Sequence, residues 1–451
     1  MPASKNIRYI AAIDHLRAYA ASLVLLYHSV HVISYHLLWG TPFKFDHWPA
    51  AGNPLTALIY EGHTGVSLFM VLSGFIFTYG GSGREINYPT FLRNRILRIY
   101  PLMLAITFIG IAAFPEKFTL PGFIQTLLPL QNTAGSLDLG AYNSMFWTIA
   151  VEFQFYLIFP FLYRMLIYRG IRHLALLILF VLVARWSALL LGGNPRDFSY
   201  WTILGHLDQF LIGMITASFS QRFSVEARPS LLWALPVVVS VVAIMLFLFN
   251  RHGGWPAETA WKILWPTLEA ALWALVIVAY LAALRGRNGF FSRLFAGVGT
   301  VSYSMYLLHF IVITIALKHS LFFNLPGRPF LSSFLTGVTI ILPVTICVSI
   351  LTYLSIEKPF LALRRRYLIP PPGPQQRSLA PGKFHAGDEG AERRAQAERD
   401  EIFLRARRED EQEAVAFHQS GKTGNAKRHQ KQAERHPGLE PGLGAGSRAE
   451  D

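Results

Sequence analysis

The sequence predicts an all-α polytopic membrane protein with about ten transmembrane helices, both termini in the cytoplasm and a disordered C-terminal tail. Of its 451 residues, 52% are apolar and 14% aromatic, but only 15% are charged. Soluble domains carry about 25% charged residues, so the composition excludes an ordinary cytosolic enzyme, a coiled coil and a disordered protein. A second observation is a series of apolar stretches of about 20 residues, the length that crosses a hydrocarbon core roughly 30 Å thick.

Ten stretches are long enough to span the membrane as helices. They cover residues 9–31, 56–79, 99–115, 145–164, 173–192, 201–219, 230–249, 264–284, 296–317 and 333–356. The N-terminal segment would make a poor cleavable signal peptide, because Asp14 and Arg17 interrupt its apolar run. We therefore expect the first stretch to remain a membrane helix. A shorter run over 118–130 contains two prolines, which favours a re-entrant or interfacial piece over an eleventh span.

The basic residues test this arrangement. With a cytoplasmic N-terminus, 18 Lys and Arg side chains of the connecting segments lie inside and 7 lie outside. Cytoplasmic loops of membrane proteins carry such an excess, so the bias supports ten spans with both termini inside. We therefore expect a multi-pass protein of the cell inner (plasma) membrane whose first partner is the lipid bilayer.

The chain changes character after residue 366. Residues 367–451 contain 14 basic and 14 acidic side chains and few large apolar ones, so this segment cannot bury enough surface to fold alone. We predict a membrane-embedded domain over 1–366 and a disordered polar cytoplasmic tail over 367–451. The net charge of +14 therefore belongs to the membrane domain. Its basic residues lie between apolar runs rather than along one face, so we expect no nucleic-acid partner.

Several kinds of site are excluded by what the sequence lacks. Its single cysteine, Cys347, cannot form an intrachain disulfide or a cysteine-based metal cluster, and we expect no metal. The sequence has no P-loop, no G-x-S-x-G elbow and no H-E-x-x-H motif, which are the signatures of soluble enzymes.

The first predicted span contains three ionisable residues, Asp14, Arg17 and His28. Arg17 and His28 are separated by about 20° around the helix and about 16 Å along it, and Asp14 lies one turn before Arg17. Charges at membrane depth are costly and usually face a bundle interior or a wet cavity. Either Asp14 and Arg17 form a structural pair while His28 bonds a neighbouring helix, or His28 is a general base.

Arg93, Arg95 and Arg98 precede a later span, and the last two share one helical face. These arginines could simply obey the positive-inside rule. Alternatively they bind an anionic, phosphate-bearing ligand, because the planar guanidinium matches phosphate oxygens.

Other polar residues stand inside apolar segments. Glu152 lies among aromatic residues, where a carboxylate must be paired or protonated, and it could orient a helix junction or handle protons. His309 shares a helical face with Tyr306 and favours an inter-helix hydrogen bond. Glu61 and His63, in the second predicted span just before Gly65, are two further candidates.

Taken together, these motifs resemble the integral-membrane acyltransferase family 3, whose members O-acylate cell-envelope glycans and related acceptors. The resemblance covers residues 7–366 and follows the order of the family's motifs. The first motif is the opening Ile13-Asp-His-Leu-Arg-Ala, with Arg17 and His28 in an Arg-x10-His pattern. The second is Gly65-Val-Ser-Leu-Phe followed by Ser73-Gly-Phe, and the third is Arg95-Ile-Leu-Arg98. The last two are Trp147 followed by Glu152-Phe-Gln-Phe-Tyr156, and Ser302-Tyr-Ser-Met-Tyr-Leu-Leu-His309.

The resemblance implies transfer of an acyl group, most commonly acetyl, from cytoplasmic acyl-CoA to a hydroxyl of an extracytoplasmic glycan such as lipopolysaccharide or exopolysaccharide. It implies that His28 is the catalytic base or acyl relay with Arg17 as its companion. Arg95 and Arg98, with Arg93 beside them, would hold the coenzyme A phosphates. Asp14 and Glu152 complete the expected catalytic group.

The sequence departs from the family pattern at His15, Ser67 and Met70, none of which is a proposed catalytic residue. No esterase-like extracytoplasmic domain follows the membrane domain, so either an accessory transferase completes the reaction or the acceptor meets the membrane domain directly. One alternative is a succinyl or longer acyl group, or a lipid or small-molecule acceptor. A different class, a secondary transporter, would show inverted repeats and broken helices, and neither is visible in the sequence.

Overall fold

The computed structural model of the chain describes residues 6, 9–81, 84–222, 232–284 and 289–369. Almost all of the described residues in regular secondary structure are helical, which confirms the predicted all-α class. The predicted tail over 367–451 lies outside the described residues except for its first three.

The helices are numbered in chain order. They are α1 (Ala11–Trp39), α2 (Pro54–Tyr60), α3 (Thr64–Gly81), α4 (Tyr88–Ala113), α5 (Leu120–Leu127), α6 (Phe146–Arg169), α7 (Ile171–Leu190), α8 (Pro195–Tyr200), α9 (Ile203–Arg222), α10 (Ala234–Arg251), α11 (Trp265–Leu284), α12 (Phe290–Thr300), α13 (Ser302–Lys318), α14 (Pro329–Thr336), α15 (Leu342–Thr352) and α16 (Lys358–Ala362). Wide π-type turns over Gly337–Ile341 and Tyr353–Glu357 join α14, α15 and α16 into one long helix. Two short strands, β1 (Glu85–Ile86) and β2 (Leu368–Ile369), pair antiparallel.

Within the described residues, eight helices are long and apolar enough to cross a membrane. The number rises to nine if α12 and α13, which meet at a bend of 67°, form one span. A tenth long helix, α9, lies at the predicted stretch 201–219, but its buried polar residues His206, Asp208 and Gln209 make it less apolar. The run over 118–130 forms only the short helix α5, so it is not a span. The side of the membrane on which each terminus lies remains a prediction.

The first helix occupies the centre of the membrane domain. It packs against α3, α12, α13 and α14, and 17 of its 29 residues are buried. Asp14 in its first turn suits the positive end of the helix dipole, and Gly40 ends the helix in a left-handed conformation at φ 63°. Because neighbours surround α1 on most sides, its polar side chains face other helices rather than lipid.

Helices α3 and α9 approach through two glycines. A Cβ atom on Gly74 would lie 2.0 Å from the carbonyl oxygen of Phe210, and one on Gly213 would lie 2.1 Å from that of Val71. Both separations are far below van der Waals contact, so only glycine permits this backbone approach.

The segment after the last helix packs on the start of α4. The side chain of Asn94 donates to the Arg365 carbonyl at 2.7 Å and accepts from the Arg365 amide at 3.0 Å. The Asn87 amide donates to the Tyr367 carbonyl at 2.8 Å, beside the β1–β2 pair. Tyr367 is buried, so the described fold extends to Ile369, three residues past the predicted boundary at residue 366.

Candidate active site

A cavity of about 220 Å³ reaches the first helix at His28. Nine aromatic side chains and three histidines form most of its wall, together with three valines, one methionine and one serine. Ligand sites in proteins combine such an apolar lining with a few placed polar groups. The aromatic residues are Tyr27, Phe43, Phe45, Trp147, Tyr200, Trp201, Trp255, Tyr306 and Phe310, and the histidines are His28, His31 and His63.

The hydrogen bonds of His28 determine which of its nitrogens carries a proton. Nε2 of His309 lies 3.0 Å from Nδ1 of His28, and Nδ1 of His309 lies 3.2 Å from the Met305 carbonyl oxygen. A carbonyl only accepts hydrogen bonds, so Nδ1 of His309 donates to it and Nε2 of the neutral ring is an acceptor. Nδ1 of His28 must therefore be the donor, which leaves Nε2 of neutral His28 with a free lone pair.

This chain of hydrogen bonds involves two of the histidines that the sequence singled out, His28 and His309. The inter-helix bond expected for His309 is present, and its partner is the proposed base itself. His28 also lines the cavity, so a ligand there can reach its ring. The arrangement suits a general base, which needs an unprotonated nitrogen near the reacting group.

Asp14 and Arg17 form the expected ion pair, with 3.5 Å between the carboxylate oxygen Oδ1 and Nη1. Neither residue lines the cavity. Arg17 lies within electrostatic range of Arg98 and Glu152, so it belongs to a second polar group away from His28.

Glu152 belongs to the same group and has two hydroxyl partners. Ser73 Oγ donates to its Oε1 at 2.9 Å, and the Tyr156 hydroxyl donates to the same oxygen. The carboxylate thus joins α3 to α6, as expected for a residue that orients a helix junction. It does not line the cavity beside His28.

The three arginines at the start of α4 have different surroundings. Arg98 Nη1 lies 2.7 Å from the buried carboxylate of Glu357. The Arg95 guanidinium packs over the rings of Phe77 at 4.8 Å and Phe91 at 5.4 Å, and its buried Nε has no hydrogen-bond partner among the described residues.

Arg93 is the third member, and its Nη1 donates to the Leu363 carbonyl at 2.9 Å. The structure therefore brings the arginine motif against the segment that follows the last helix. That contact depends on the pairing of distant parts of the chain, so the spacing of the arginines alone did not reveal it.

Sequence analysis missed a fourth arginine at this site. Burial, together with the nearby positive charges of Arg95 and Arg98, lowers the pKa of Arg364 to about 10. Glu357 forms an ion pair with one of these arginines, Arg98. The only signal in the sequence was the basic run after the last span, which positive-inside topology already explained.

Glu61 and His63 meet beside the cavity, in the turn between α2 and α3. Trp48 Nε1 and Asn250 Nδ2 donate to Oε1 of Glu61 at 2.8 Å and 2.7 Å. Oε2 of the same carboxyl group lies 3.5 Å from Nδ1 of His63.

No group of three or more His, Cys, Asp or Glu side chains that could hold a metal ion occurs in the part of the chain that the structure describes. The chain does match a known protein family. A family model described as an acyltransferase domain matches residues 10–354. The chain belongs to this acyltransferase family. The match contains the proposed base, the arginine motif and Glu152, and it confirms the resemblance identified from the sequence motifs.

Two curated relatives support the assignment at low identity. The acyltransferase MdmB of Streptomyces mycarofaciens is 26% identical over 293 residues, which cover 58% of this chain and 71% of the relative. A protein designated membrane-bound transacylase BcsY, from Komagataeibacter xylinus, is 24% identical over 374 residues, covering 78% of this chain and 83% of the relative. No solved structure matches the chain significantly.

The protein is therefore a multi-pass membrane acyltransferase that transfers groups other than amino-acyl groups. Family membership disfavours the secondary-transporter alternative. It establishes the reaction class, and the roles of individual residues follow from the geometry of the site.

Proposed function

We propose that this acyltransferase moves an acyl group, expected to be acetyl, from cytoplasmic acyl-CoA to a hydroxyl of an extracytoplasmic glycan such as lipopolysaccharide or exopolysaccharide. The observation that carries the proposal is the orientation of His28. Its Nδ1 donates to His309, so its Nε2 lone pair is available in a cavity lined by aromatic rings. The enzyme would act in the inner membrane, where both substrates can reach it.

His28 would act on the acceptor hydroxyl. As the hydroxyl oxygen bonds to the acyl carbon, Nε2 of His28 takes its proton and the carbon–sulfur bond breaks. The coenzyme A thiolate leaves and is protonated by the imidazolium, which returns His28 to its starting state. His309 accepts from Nδ1 throughout, holding the ring in the tautomer that the reaction requires.

The donor would bind at the arginine cluster. Arg93, Arg95, Arg98 and Arg364 bring several guanidinium groups together, and guanidinium groups match phosphate oxygens. A phosphate that approaches Arg98 would compete with Glu357. Asp14, Arg17 and Glu152 would position the helices between this cluster and the cavity.

The acceptor has a second candidate. The cavity wall is mostly aromatic, which also suits an apolar lipid or small molecule, and a succinyl or longer acyl group remains an alternative to acetyl. The names of the two relatives specify acyl transfer without an acceptor. An accessory extracytoplasmic transferase is a further expected partner if the glycan does not enter the cavity itself.

The test compares the purified full chain with its His28→Ala variant in lipid vesicles supplied with labelled acetyl-CoA and with lipopolysaccharide as the acceptor. We expect the variant to remain inserted and to bind acetyl-CoA, but to lose thioester consumption by a factor of about 10² to 10⁴, the usual contribution of a general base. His252→Ala is a matched control, because His252 is exposed and outside the cavity.

Near-normal activity of His28→Ala would refute the mechanism. If the folded wild type consumes no acetyl-CoA, either the acyl group or the supplied acceptor is wrong. Succinyl-CoA and longer acyl donors, and an exopolysaccharide acceptor, are then measured in the same vesicles. Consumption of one of these donors that depends on His28 would retain the mechanism and change the acyl group.

A further inference from the structure

Glu61 and His63 form a buried polar pair that the proposed acyl transfer does not use. Only 4% of His63 is exposed and none of Glu61. His63 nevertheless contributes to the cavity wall, whereas Glu61 stands behind it. The pair therefore lies at the boundary between the protein interior and the space where a ligand would bind.

The pair has unused hydrogen-bonding capacity. Neither nitrogen of His63 has a hydrogen-bond partner among the described residues, and the same holds for Oε2 of Glu61. Most buried polar side-chain atoms in proteins are hydrogen-bonded, and leaving one unpaired costs about 1–3 kcal/mol. An unpaired histidine in the wall of a cavity thus points to a ligand that completes its hydrogen bonds.

Neighbouring side chains and backbone hold the Glu61 carboxyl group in a fixed position. Oε1 of Glu61 is held by two N–H donors, Trp48 Nε1 and Asn250 Nδ2, so the carboxyl group has a fixed orientation with Oε2 toward His63. Gly254 adopts φ +58°, and a Cβ atom there would lie 2.4 Å from Oε1 of Glu61. This glycine lets the backbone approach the pair without displacing it.

His63 and His28 flank one tyrosine. The ring centroid of Tyr27 lies 4.6 Å from that of His28 and 5.7 Å from that of His63. The two imidazoles therefore cannot be farther apart than the sum of these separations, and both belong to the same cavity wall. A ligand that fills this cavity therefore contacts both rings.

We propose that His63, oriented by Glu61, binds a second hydroxyl of the acceptor while His28 acts on the hydroxyl that is acylated. The acceptor class is then a cyclic polyol whose apolar faces contact the aromatic wall and whose two hydroxyls meet the two histidines. The inference rests on the proposed acyl transfer for the identity of the ligand as acceptor. It adds a specificity-determining residue that holds the ligand and takes no part in bond making.

Binding is measured with two probes that differ by one hydroxyl, trans-1,2-cyclohexanediol and cyclohexanol. The full chain in lipid nanodiscs is titrated with each, and the fluorescence of its tryptophans, of which Trp147, Trp201 and Trp255 line the cavity, reports binding. His63→Phe keeps an aromatic ring and removes both nitrogens. His252→Phe is the matched control on an exposed histidine.

The wild type should bind the diol about tenfold more tightly than the mono-ol, because the mono-ol leaves a buried polar group unpaired. His63→Phe should abolish this preference and leave the affinity for cyclohexanol unchanged, whereas His252→Phe should alter neither. Equal affinities in the wild type, or a diol preference that survives in His63→Phe, would overturn the proposal, as would a wild type that binds neither alcohol.

The readout needs no acyl donor, so it separates this inference from the proposed reaction. His28→Ala should also lose the preference for the diol, because His63 can then bind the single hydroxyl of either probe, and it should no longer consume acyl-CoA. A wild type that prefers the diol through His63 but consumes no acyl-CoA would contradict the proposed reaction and leave the binding site in place.

Discussion

Replacing His309 by phenylalanine tests whether the bond between the two histidines matters for catalysis. The variant keeps an aromatic ring beside His28 but removes the nitrogen that lies 3.0 Å from Nδ1 of His28. One hydrogen bond contributes about 0.5–1.5 kcal/mol, and about 1.4 kcal/mol corresponds to a factor of ten in rate. We therefore expect His309→Phe to lower kcat by up to about tenfold, far less than the loss expected for His28→Ala.

The assay is consumption of labelled acetyl-CoA by each variant in vesicles, with kcat and the KM for acetyl-CoA determined separately. The arginine cluster does not line the cavity, so the KM for acetyl-CoA should not change. His15→Phe is the matched control. His15 is a buried histidine of α1, the helix that carries His28; it is bonded to Tyr280 and to the Ser292 carbonyl, and it does not line the cavity.

Both variants should lose about 1–3 kcal/mol in free energy of unfolding, because each leaves a buried polar group unpaired. Only His309→Phe should lower kcat. An unchanged kcat in folded His309→Phe would refute the positioning role, and a loss as large as that of His28→Ala would show that His309 is itself a reacting group.

Two further predictions concern the donor site and the helix packing. Replacing Arg95 and Arg98 together by alanine should weaken acetyl-CoA binding at equilibrium by about tenfold or more, because two guanidinium groups are lost from the cluster; unchanged affinity would remove the cluster from the donor site. Gly74→Ala should destabilise the fold by about 3 kcal/mol through its clash with the Phe210 carbonyl. Gly52→Ala, where no atom lies within 4 Å of the added Cβ, should leave thermal stability unchanged, and equal stability of both variants would contradict the packing argument.

Much of the fold was predictable because a bilayer imposes simple requirements on sequence. Each span must be long, apolar and internally hydrogen-bonded, so composition and length located nearly all of the long helices. The helix over 201–219 was predicted at the right place, although its His206, Asp208 and Gln209 make it the most polar of the set. These three side chains are buried between neighbouring helices, which explains how so polar a helix fits in the membrane domain. Local sequence does not reveal that burial.

The candidate residues divide into those that a single helix determines and those that the assembly determines. The ion pair of Asp14 and Arg17 follows from their spacing of three residues on one helix. The partner of Arg98 is Glu357, and the cluster gains Arg364, both from the far end of the chain. Such contacts depend on which helices are neighbours, and nothing in the local pattern specified them.

The sequence by itself determined the membrane class, the approximate spans and the identity of His28 as the candidate base, because all three depend on composition and on local periodicity. Only the tertiary structure decided that His309 accepts from His28, which leaves the Nε2 lone pair free, and that His63 joins the same cavity with Glu61 behind it. The physical reason is that the direction of a hydrogen bond and the composition of a cavity wall depend on side chains from separate helices. Packing brings these side chains together across as many as 281 positions of the chain.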